Sequence, residues 1–254
     1  AKILKYSYEI EYEAIRPLQF DYTLQIKKYE GLYGAGQICG TSGYEEAAAL
    51  GLMAGINASL KILGKEPLIL RRDEAYIGVM IDDLVTKGTE EPYRLLSSRA
   101  EYRLLLRHDN ADLRLTKHGH DIGLISETRY EHFLEKYQKI DEAIDILGKT
   151  NVSDKEKINS YLLENGYTDT SVGHKGLELL KRPNLHYKEI ASAIPEMSSF
   201  RFDEASILSL ETKVKYAGYI QQEVKDAERA MKLENIHLPK DLDYMHIDEL
   251  AMEA

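Results

Sequence analysis

Residues 31–49 (GLYGAGQICGTSGYEEAAA) carry the residue types that allow a backbone to lie against a cofactor. Glycines interrupt a short apolar run, a polar turn follows, and a helix is predicted to begin near Tyr44. Glycine has no Cβ and can approach a ligand closely, and the first amides of a helix offer unpaired N–H groups. The helix dipole would stabilise negative charge at the pyrimidine end of a reduced flavin. The stretch therefore predicts a cofactor site that a flavin could use, with an ordinary glycine-rich turn as an equal alternative.

The same stretch is not a first dinucleotide-binding motif. That motif requires Gly-x-Gly-x-x-Gly, whereas residues 34–39 read GAGQIC and place Cys39 at the last position. Cys39 is the only cysteine in the chain and cannot form an internal disulfide. We therefore interpret it as a packing residue in a protein of the reducing cytoplasm.

A basic island in the middle of an acidic chain is the second candidate site. The chain has a net charge of −10, but residues 94–120 carry six basic and three acidic residues. Arg99, Arg103 and Arg107 are four apart, which places them on one side of a strand or a helix, and we favour a strand over residues 100–106. Guanidinium groups bind phosphates and stack on unpaired bases. We predict RNA contact by Arg99, Arg103, Arg107, Arg114 and Lys117, with internal ion pairs to Glu101, Asp109 and Asp112 as the alternative.

Two further clusters predict neither an acid–base pair nor a metal site. Asp82 and Asp83 are adjacent, so their side chains point in different directions, and we expect them at a solvated end of an element or as a cap. The eight histidines show no metal-ligand spacing. The nearest approach, His118-Gly-His120, has no cysteine partner and is interpreted as surface.

The elements that must position these residues change character near residue 125. Residues 1–125 predict strands, a helix at 47–63 and a segment at 72–85 that is either a buried helix or a strand, the spacing favouring the helix. Residues 126–254 predict helices alone. The pattern indicates an α/β domain followed by an all-helical domain. The predicted strands are residues 2–15, 22–28 and 31–36, and the predicted later helices are residues 127–147, 153–165, 173–180, 187–194 and 203–235.

The composition is that of a globular protein. Hydrophobic residues make up 43% and charged residues 30% of the chain. No run of about 18 apolar residues occurs, so no membrane span is predicted. The negative net charge argues against indiscriminate binding of polyanions. RNA contact is therefore predicted for the basic island alone.

Three stretches give long, nearly uninterrupted matches to one family. They are residues 35–58 (AGQICGTSGYEEAAALGLMAGINA), 72–94 (RDEAYIGVMIDDLVTKGTEEPYR) and 98–116 (SRAEYRLLLRHDNADLRLT). Together they resemble the GidA/MnmG family of tRNA wobble-uridine modifying flavoproteins, and the helical part to about residue 245 is similar as well. The resemblance implies a C-terminal fragment that begins in the last part of a glutathione-reductase-like FAD-binding domain with a parallel sheet.

The resemblance also implies an activity and its partners. A family member binds FAD and, with NADH and a methylene-tetrahydrofolate donor, adds an aminomethyl or carboxymethylaminomethyl group to C5 of the wobble uridine. The family works as a homodimer on the tRNA anticodon region with a GTPase partner, MnmE. The family's leading Gly-x-Gly-x-x-Gly motif and NAD-binding region do not occur here, so we expect this fragment to be inactive by itself, and no catalytic residue is assigned. The residues that match FAD contacts are Gly36, Gln37, Thr41, Gly43, Tyr44 and Glu45.

Two other functions are compatible with the sequence. The fragment could act as a non-catalytic module that binds tRNA and a partner, in which case the purified protein would be colourless. A glutathione-reductase-like oxidoreductase of small molecules is the third reading. It ranks last because the arginines and the acidic helical part have no purpose in such an enzyme.

Overall fold

The computed structural model describes residues 12–168, 173–234 and 236–237 of the chain. Among these residues the secondary structure is helical, and β-structure is limited to isolated bridge pairs. A single π-helical turn, Asp83–Lys87, continues the second helix. The helices are α1 (Tyr44–Ile62), α2 (Tyr76–Asp82), α3 (Ala111–Asp121), α4 (Glu127–Lys149), α5 (Lys155–Glu164), α6 (Gly176–Leu180), α7 (Tyr187–Ala191), α8 (Glu204–Lys215) and α9 (Ala217–Glu234).

The helical part from α4 onward encloses one apolar core. Ile140, Ala143 and Leu147 of α4 are fully buried, and their spacing of three and four places them on one helix face. Side chains from α5 to α8 complete the core. Burial of each large aliphatic side chain contributes roughly 1.5–3 kcal/mol. The predicted all-helical part is confirmed for those of its residues that the structure describes.

Local capping fixes where three of these helices begin. Ser126, Asp154 and Asp203 each accept a hydrogen bond from the backbone amide three residues ahead, at 3.4, 3.1 and 2.8 Å. Such a side chain satisfies one of the amides that the first helical turn leaves unpaired. The starts of α4, α5 and α8 are therefore encoded by residues next to them in the sequence.

The single long helix predicted at residues 203–235 is interrupted. α8 ends at Lys215, and Tyr216 (φ −102°, ψ 9°) separates it from α9. α8 buries Leu210 in the helical core, whereas Val224 of α9 is 40% exposed. One continuous apolar stripe in the sequence thus becomes two helices, because its halves pack against different parts of the protein.

A second core lies between α1 and α2. Leu50 of α1 and Met80 of α2 are fully buried within it. A Cβ at Gly78 would lie 2.2 Å from the carbonyl oxygen of Arg71, so only glycine allows α2 to approach the segment before it. The helical interpretation of residues 72–85 is confirmed for α2 and its π-helical continuation.

The strands predicted at residues 22–28 and 31–36 are wrong. Leu24 adopts a left-handed conformation with φ 67°. The Asp21 carboxylate accepts hydrogen bonds from the amides two and four residues ahead, at 2.8 and 3.2 Å. This local turn competes with strand pairing, and isolated antiparallel bridges form within residues 20–33 in place of a ladder.

A parallel sheet is not present among the described residues. The one parallel bridge there pairs Thr41 with Tyr93. The predicted strand at residues 2–15 falls mostly on residues 1–11, which lie outside the described part. The structure therefore supports the helical part of the predicted fold and does not confirm the α/β part with a parallel sheet.

Candidate functional site

The predicted cofactor stretch folds as a 3₁₀ turn, Gly36–Cys39, followed by a short extended segment and α1. Gly36 has φ +75°, in the region that favours glycine. Thr41 is 1% exposed, and its hydroxyl donates to the carbonyl oxygen of Gly36 at 3.2 Å. Gln37 is exposed and Tyr44 is 94% exposed. Thr41 thus closes the turn from inside, while Gln37 and Tyr44 are open to a ligand.

The first turn of α1 presents unpaired amides. Gly43 precedes the helix in an extended conformation, and no side chain caps the helix start. Within the described residues the amides of Tyr44 and Glu45 have no acceptor. They lie at the positive end of a helix of 19 residues. The structure therefore places the six predicted cofactor residues along one turn and helix start.

Glu46 is a buried carboxylate behind this helix start, and the sequence did not single it out. It is 2% exposed, and its Oε1 accepts the backbone N–H of Leu95 at 2.8 Å. Its Oε2 has no hydrogen-bond partner among the described residues. A Cβ at Gly43 would lie 1.7 Å from that oxygen. The half-exposed Arg94 lies nearby, with Nε 3.9 Å from Oε1.

Residues 93–95 run alongside the turn that precedes α1. The amide of Tyr93 donates to the carbonyl oxygen of Gly40 at 2.8 Å. The amide of Ser42 donates to the carbonyl oxygen of Tyr93 at 3.1 Å. Together with the Glu46–Leu95 bond, these contacts fix the segment before the arginines to the predicted cofactor turn.

Arg72 brings three carboxylates together. Its Nη1 donates to Asp82 at 2.9 Å and to Asp83 at 2.7 Å, and its Nη2 donates to Glu101 at 2.6 Å. The hydroxyl of Tyr93 donates to the other oxygen of Asp83 at 2.8 Å. The predicted solvated end is wrong for Asp83, which is only 4% exposed, and the two carboxylates converge because the guanidinium of Arg72 reaches both.

Burial and hydrogen bonding act in opposite directions on the pKa values of this cluster. Burial alone would raise the pKa of Asp83, but hydrogen bonds from Lys87, Arg72 and Tyr93 outweigh it and hold that pKa below its usual value. Burial alone would lower the pKa of Arg72, and hydrogen bonds to its three carboxylate partners raise it overall. Burial and the bond to Asp83 raise the pKa of Tyr93. Arg72 and Asp83 are therefore ionised at neutral pH.

The strand predicted at residues 100–106 is wrong. Two amides of this segment donate to the carbonyl oxygen of Tyr102, at 3.1 and 3.0 Å, and form a turn. Glu223 of α9 accepts hydrogen bonds from the amides of Leu104 and Leu105 at 3.0 and 3.1 Å. A carboxylate from a distant helix thus satisfies amides that a neighbouring strand would otherwise bind.

The three arginines spaced by four do not line a common strand face. Each of them donates to a backbone carbonyl earlier in its own segment. Arg99 and Arg103 are exposed, and the Arg99 guanidinium lies 4.4 Å from the ring centroid of Tyr93. The acceptors are Arg94 for Arg99 at 2.9 Å, Ala100 for Arg103 at 3.4 Å, and Leu104 for Arg107.

The other predicted RNA-binding residues have partners within the protein. Arg107 pairs with Asp109 at 2.9 Å, and its side chain is 18% exposed. Arg114 donates to two backbone carbonyls and to an asparagine, and burial lowers its pKa. Lys117 is exposed on α3 and pairs with Asp121 at 2.6 Å. Of the acidic residues named as alternative partners, only Asp109 pairs with one of the three spaced arginines.

Sequence reasoning missed the residues that connect these features. Arg72, Tyr93 and Arg94 lie in a stretch already noted for its family match, but no periodicity marks them as polar contacts. The exposed cations near Tyr93 also include Lys87, which pairs with Asp83 at 2.9 Å. In the described part of the chain, Lys87, Arg94 and Arg99 are exposed cations beside the predicted cofactor turn.

Cys39 is buried, as its packing interpretation predicted, with 1% of its surface exposed. Burial raises the pKa of its thiol to about 12. In the part of the chain that the structure describes, no group of His, Cys, Asp and Glu is arranged to hold a metal ion. No helix of that part is long and apolar enough to cross a membrane.

Comparison with known proteins gives consistent matches. The family described as "Glucose inhibited division protein A" matches residues 1–66. The family described as "tRNA modifying enzyme MnmG/GidA C-terminal helical domain" matches residues 127–224. Two solved crystal forms of Aquifex aeolicus GidA are 39% identical in sequence. They superpose with TM-scores of 0.74 and 0.72, and the match takes in 94% of this chain in both cases. The matched part is 37% of the GidA chain in one crystal form and 36% in the other.

Curated relatives match along the whole chain. The chain is 51% identical over 253 residues to the tRNA uridine 5-carboxymethylaminomethyl modification enzyme MnmG of Caldicellulosiruptor saccharolyticus. It is 50% identical over 257 residues to the enzyme of the same name from Clostridium botulinum. In both cases the match takes in 100% of this chain and 40% of the relative's length.

Proposed function

Because the chain belongs to the GidA/MnmG family, we propose that it is part of an enzyme that modifies uridine in tRNA. The chain supplies one wall of an FAD site and a surface for the tRNA anticodon region. The complete enzyme adds a carboxymethylaminomethyl or aminomethyl group to C5 of the wobble uridine, with NADH and a methylene-tetrahydrofolate donor. It acts in the cytoplasm as a homodimer with the GTPase MnmE, and its flavin-binding and helical domains meet near residue 125.

The start of α1 suits the pyrimidine end of the flavin. The free amides of Tyr44 and Glu45 would donate hydrogen bonds to it, and the exposed Gln37 would add a side-chain amide. The ring of Tyr44 is exposed beside these amides. FAD, when bound, supplies the redox chemistry. The residues of this turn would hold its ring, and the positive end of the helix would favour negative charge there.

Arg99 and Arg103 are the arginines available to RNA. Both side chains are exposed, and each donates to the carbonyl oxygen of an earlier residue, Arg94 for Arg99 and Ala100 for Arg103, rather than to a carboxylate. Guanidinium groups in this state can bind phosphate or stack on a splayed base. Arg107, Arg114 and Lys117 have internal partners, so we assign them a supporting role in the same surface.

One observation carries the proposal. The bonds of Tyr93 and Leu95 to the turn and to Glu46 hold the segment that leads into Arg99 against the proposed flavin wall. A base bound by Arg99 would therefore lie near the flavin end of α1. Reactions of this type require the cofactor and the target base to be held together.

The proposal is tested in the full-length enzyme. Arg99→Ala and Arg103→Ala should each weaken binding of an unmodified tRNA transcript. Each should also reduce the slope of log affinity against log salt by about 0.7–0.9 units per lost phosphate contact. Arg201→Ala, at an exposed position in the helical part, is the matched control and should change neither quantity. Unchanged tRNA affinity and salt dependence in both test variants would contradict the RNA assignment.

The flavin wall needs a separate measurement. Gln37→Ala should lower the amount of flavin that the purified full-length enzyme retains, read from its visible absorbance. Gln138→Ala on α4, which removes the same side chain from an exposed site, should leave flavin content unchanged. Equal flavin content in all three proteins would contradict the assignment of Gln37.

A second function is favoured by the exposure of Arg99 and Arg103. Neither side chain bonds to a residue of the proposed flavin wall, so the 254-residue chain could act by itself as a tRNA-binding module. This reading predicts a colourless purified chain that still binds tRNA. A yellow preparation with stoichiometric flavin would exclude it.

A further inference from the structure

We propose that Arg72 is a positioning residue for RNA binding, which acts by fixing Arg99 and Glu101 and makes no contact with RNA itself. The inference rests on the proposed function, because it presupposes that Arg99 binds tRNA. It adds a residue that lies outside the basic island and that no charge pattern in the sequence marks. The evidence comes from the partners of Arg72, from a second connection through Tyr93 and from the way Arg72 is enclosed.

Arg72 donates hydrogen bonds to a backbone carbonyl before Ala100 and to a side chain after it. Its Nη2 donates to the carbonyl oxygen of Arg99 at 3.2 Å and to the carboxylate of Glu101 at 2.6 Å. Its Nε donates to both oxygens of Glu101, at 3.1 and 3.2 Å. Ala100 is itself packed against Val79 of α2. Arg72 therefore adds long-range contacts to a backbone that is otherwise held by the local bond from the Arg99 amide to the Leu96 carbonyl oxygen, at 3.0 Å, and by apolar packing of Ala100.

A second connection runs from Arg72 to the Arg99 guanidinium. Nη1 of Arg72 donates to Asp83, which accepts the hydroxyl of Tyr93 on its other oxygen. The ring of Tyr93 lies under the guanidinium of Arg99, 4.4 Å from centroid to Cζ. Arg72 thus controls both the backbone of Arg99 and the ring on which its side chain rests. A cation held over an aromatic face has fewer rotamers to lose when it binds.

Arg72 is not free to bind RNA directly. Its side chain is 17% exposed, and all three of its nitrogens donate within the protein. Its charge is matched by Asp82, Asp83 and Glu101, so it adds no positive potential to the surface. An effect of Arg72 on tRNA affinity must therefore pass through residues that it holds.

A double-mutant cycle in the full-length enzyme tests this pathway, with an unmodified tRNA transcript as the probe. Arg72→Lys keeps the charge but cannot form the forked contacts to Glu101 and the Arg99 carbonyl. We expect Arg72→Lys and Arg99→Ala each to weaken binding by about three- to tenfold, and the double variant to be no weaker than Arg99→Ala within about twofold. If the fold-reduction in tRNA affinity of the double variant equals the product of the two single fold-reductions, the proposal is overturned.

The adjacent arginine provides the matched control. Arg71 pairs with Asp73 and Glu74 and contacts neither Arg99 nor Glu101. Arg71→Lys should leave tRNA affinity unchanged within about twofold, alone and combined with Arg99→Ala. An Arg71→Lys effect as large as that of Arg72→Lys would show that loss of any guanidinium in this region weakens binding, without the contacts to Arg99 and Glu101, and would overturn the proposal.

Glu101→Ala gives a readout that does not depend on the folding of an Arg72 variant. The Glu101 side chain is 50% exposed, so its truncation is well tolerated. Removal of a negative charge beside an RNA surface strengthens binding if the residue acts only through its charge. Positioning predicts the opposite, a weakening of about threefold or more, because the anchor of Arg72 is lost. Tighter binding would overturn the proposal.

The failure of this inference is distinguishable from the failure of the proposed function. If Arg99→Ala leaves tRNA affinity unchanged, the RNA assignment of Arg99 is wrong and the positioning proposal is wrong with it. If Arg99→Ala weakens binding and the Arg72→Lys effect multiplies with it, the proposed function stands and only the positioning proposal is wrong.

Discussion

The hydroxyl of Tyr93 donates a 2.8 Å hydrogen bond to Oδ2 of Asp83, and both residues are buried. Through its backbone Tyr93 is bonded to the turn before α1, and through its ring it supports Arg99. Asp83 lies at the end of α2 and is bonded to Arg72. One side-chain contact therefore joins the proposed flavin wall, the core helix α2 and the arginine segment.

The first prediction concerns the stability that this contact provides. Tyr93→Phe removes one donor from a buried carboxylate, so we expect a loss of about 1–3 kcal/mol in the free energy of unfolding. Tyr187→Phe is the control, because Tyr187 is 6% exposed and its hydroxyl makes no hydrogen bond within the described residues. Urea denaturation compares the two variants, and equal losses would contradict the assigned role of the Tyr93 hydroxyl.

The second prediction compares two glycines of the same region. Gly43→Ala places a Cβ on the buried carboxylate of Glu46, so Glu46 must give up its bond to Leu95 and stability falls by about 1–3 kcal/mol. Gly51 is exposed in the middle of α1, and a Cβ there meets no atom within 4 Å. Gly51→Ala should stabilise the 254-residue chain by about 0.5–1 kcal/mol. Thermal unfolding that gave both variants the same sign of change would refute this reading.

The third prediction is a dependence of stability on pH. The pKa of Asp83 is lower in the folded protein than its unfolded value of 3.8, so its contribution is fully present above that pH. The contribution is lost as the pH falls below 3.8 through the folded pKa. Asp83→Asn should therefore be less stable than the original chain at neutral pH, and the difference should shrink in acid. A difference that stays constant down to about pH 3 would argue against an ionised Asp83.

An exposed aspartate serves as the control for the pH experiment. The pKa of Asp121 is also lowered, first by its hydrogen bond from Lys117, but the pair is exposed to solvent and to screening by salt. Asp121→Asn should change the pH profile of stability much less than Asp83→Asn does. Urea unfolding at a series of pH values measures both profiles under the same conditions.

The fourth prediction concerns the reactivity of Cys39. Its thiol is buried and its pKa is raised to about 12, so little reactive thiolate is present near neutral pH. We expect a disulfide reagent to label the native chain at least about a hundredfold more slowly than the denatured chain at pH ~8. The chain has a single cysteine, so the signal reports one site. Similar rates in native buffer and in guanidinium would disprove the burial.

The sequence predicted elements well where the signal is local and failed where distant residues compete. α4 follows a spacing of three and four in its own residues and a serine cap. The segment at residues 100–106 alternates like a strand, but its amides are taken by Glu223, more than a hundred residues away. No window of local sequence contains that competitor.

The candidate site also has features that local sequence predicts and features that depend on distant residues. The glycines, the helix start and the basic residues that match the family are visible in the sequence because their chemistry depends on residue type and short spacing. Only the tertiary structure shows that Arg99 and Arg103 are exposed while Arg107 and Arg114 have internal partners. It also decides that Asp82 and Asp83 converge on Arg72 and that Tyr93 ties the arginine segment to the turn before α1. Burial and pairing depend on which separate segments the fold brings together, so they cannot be predicted from residue type and local spacing.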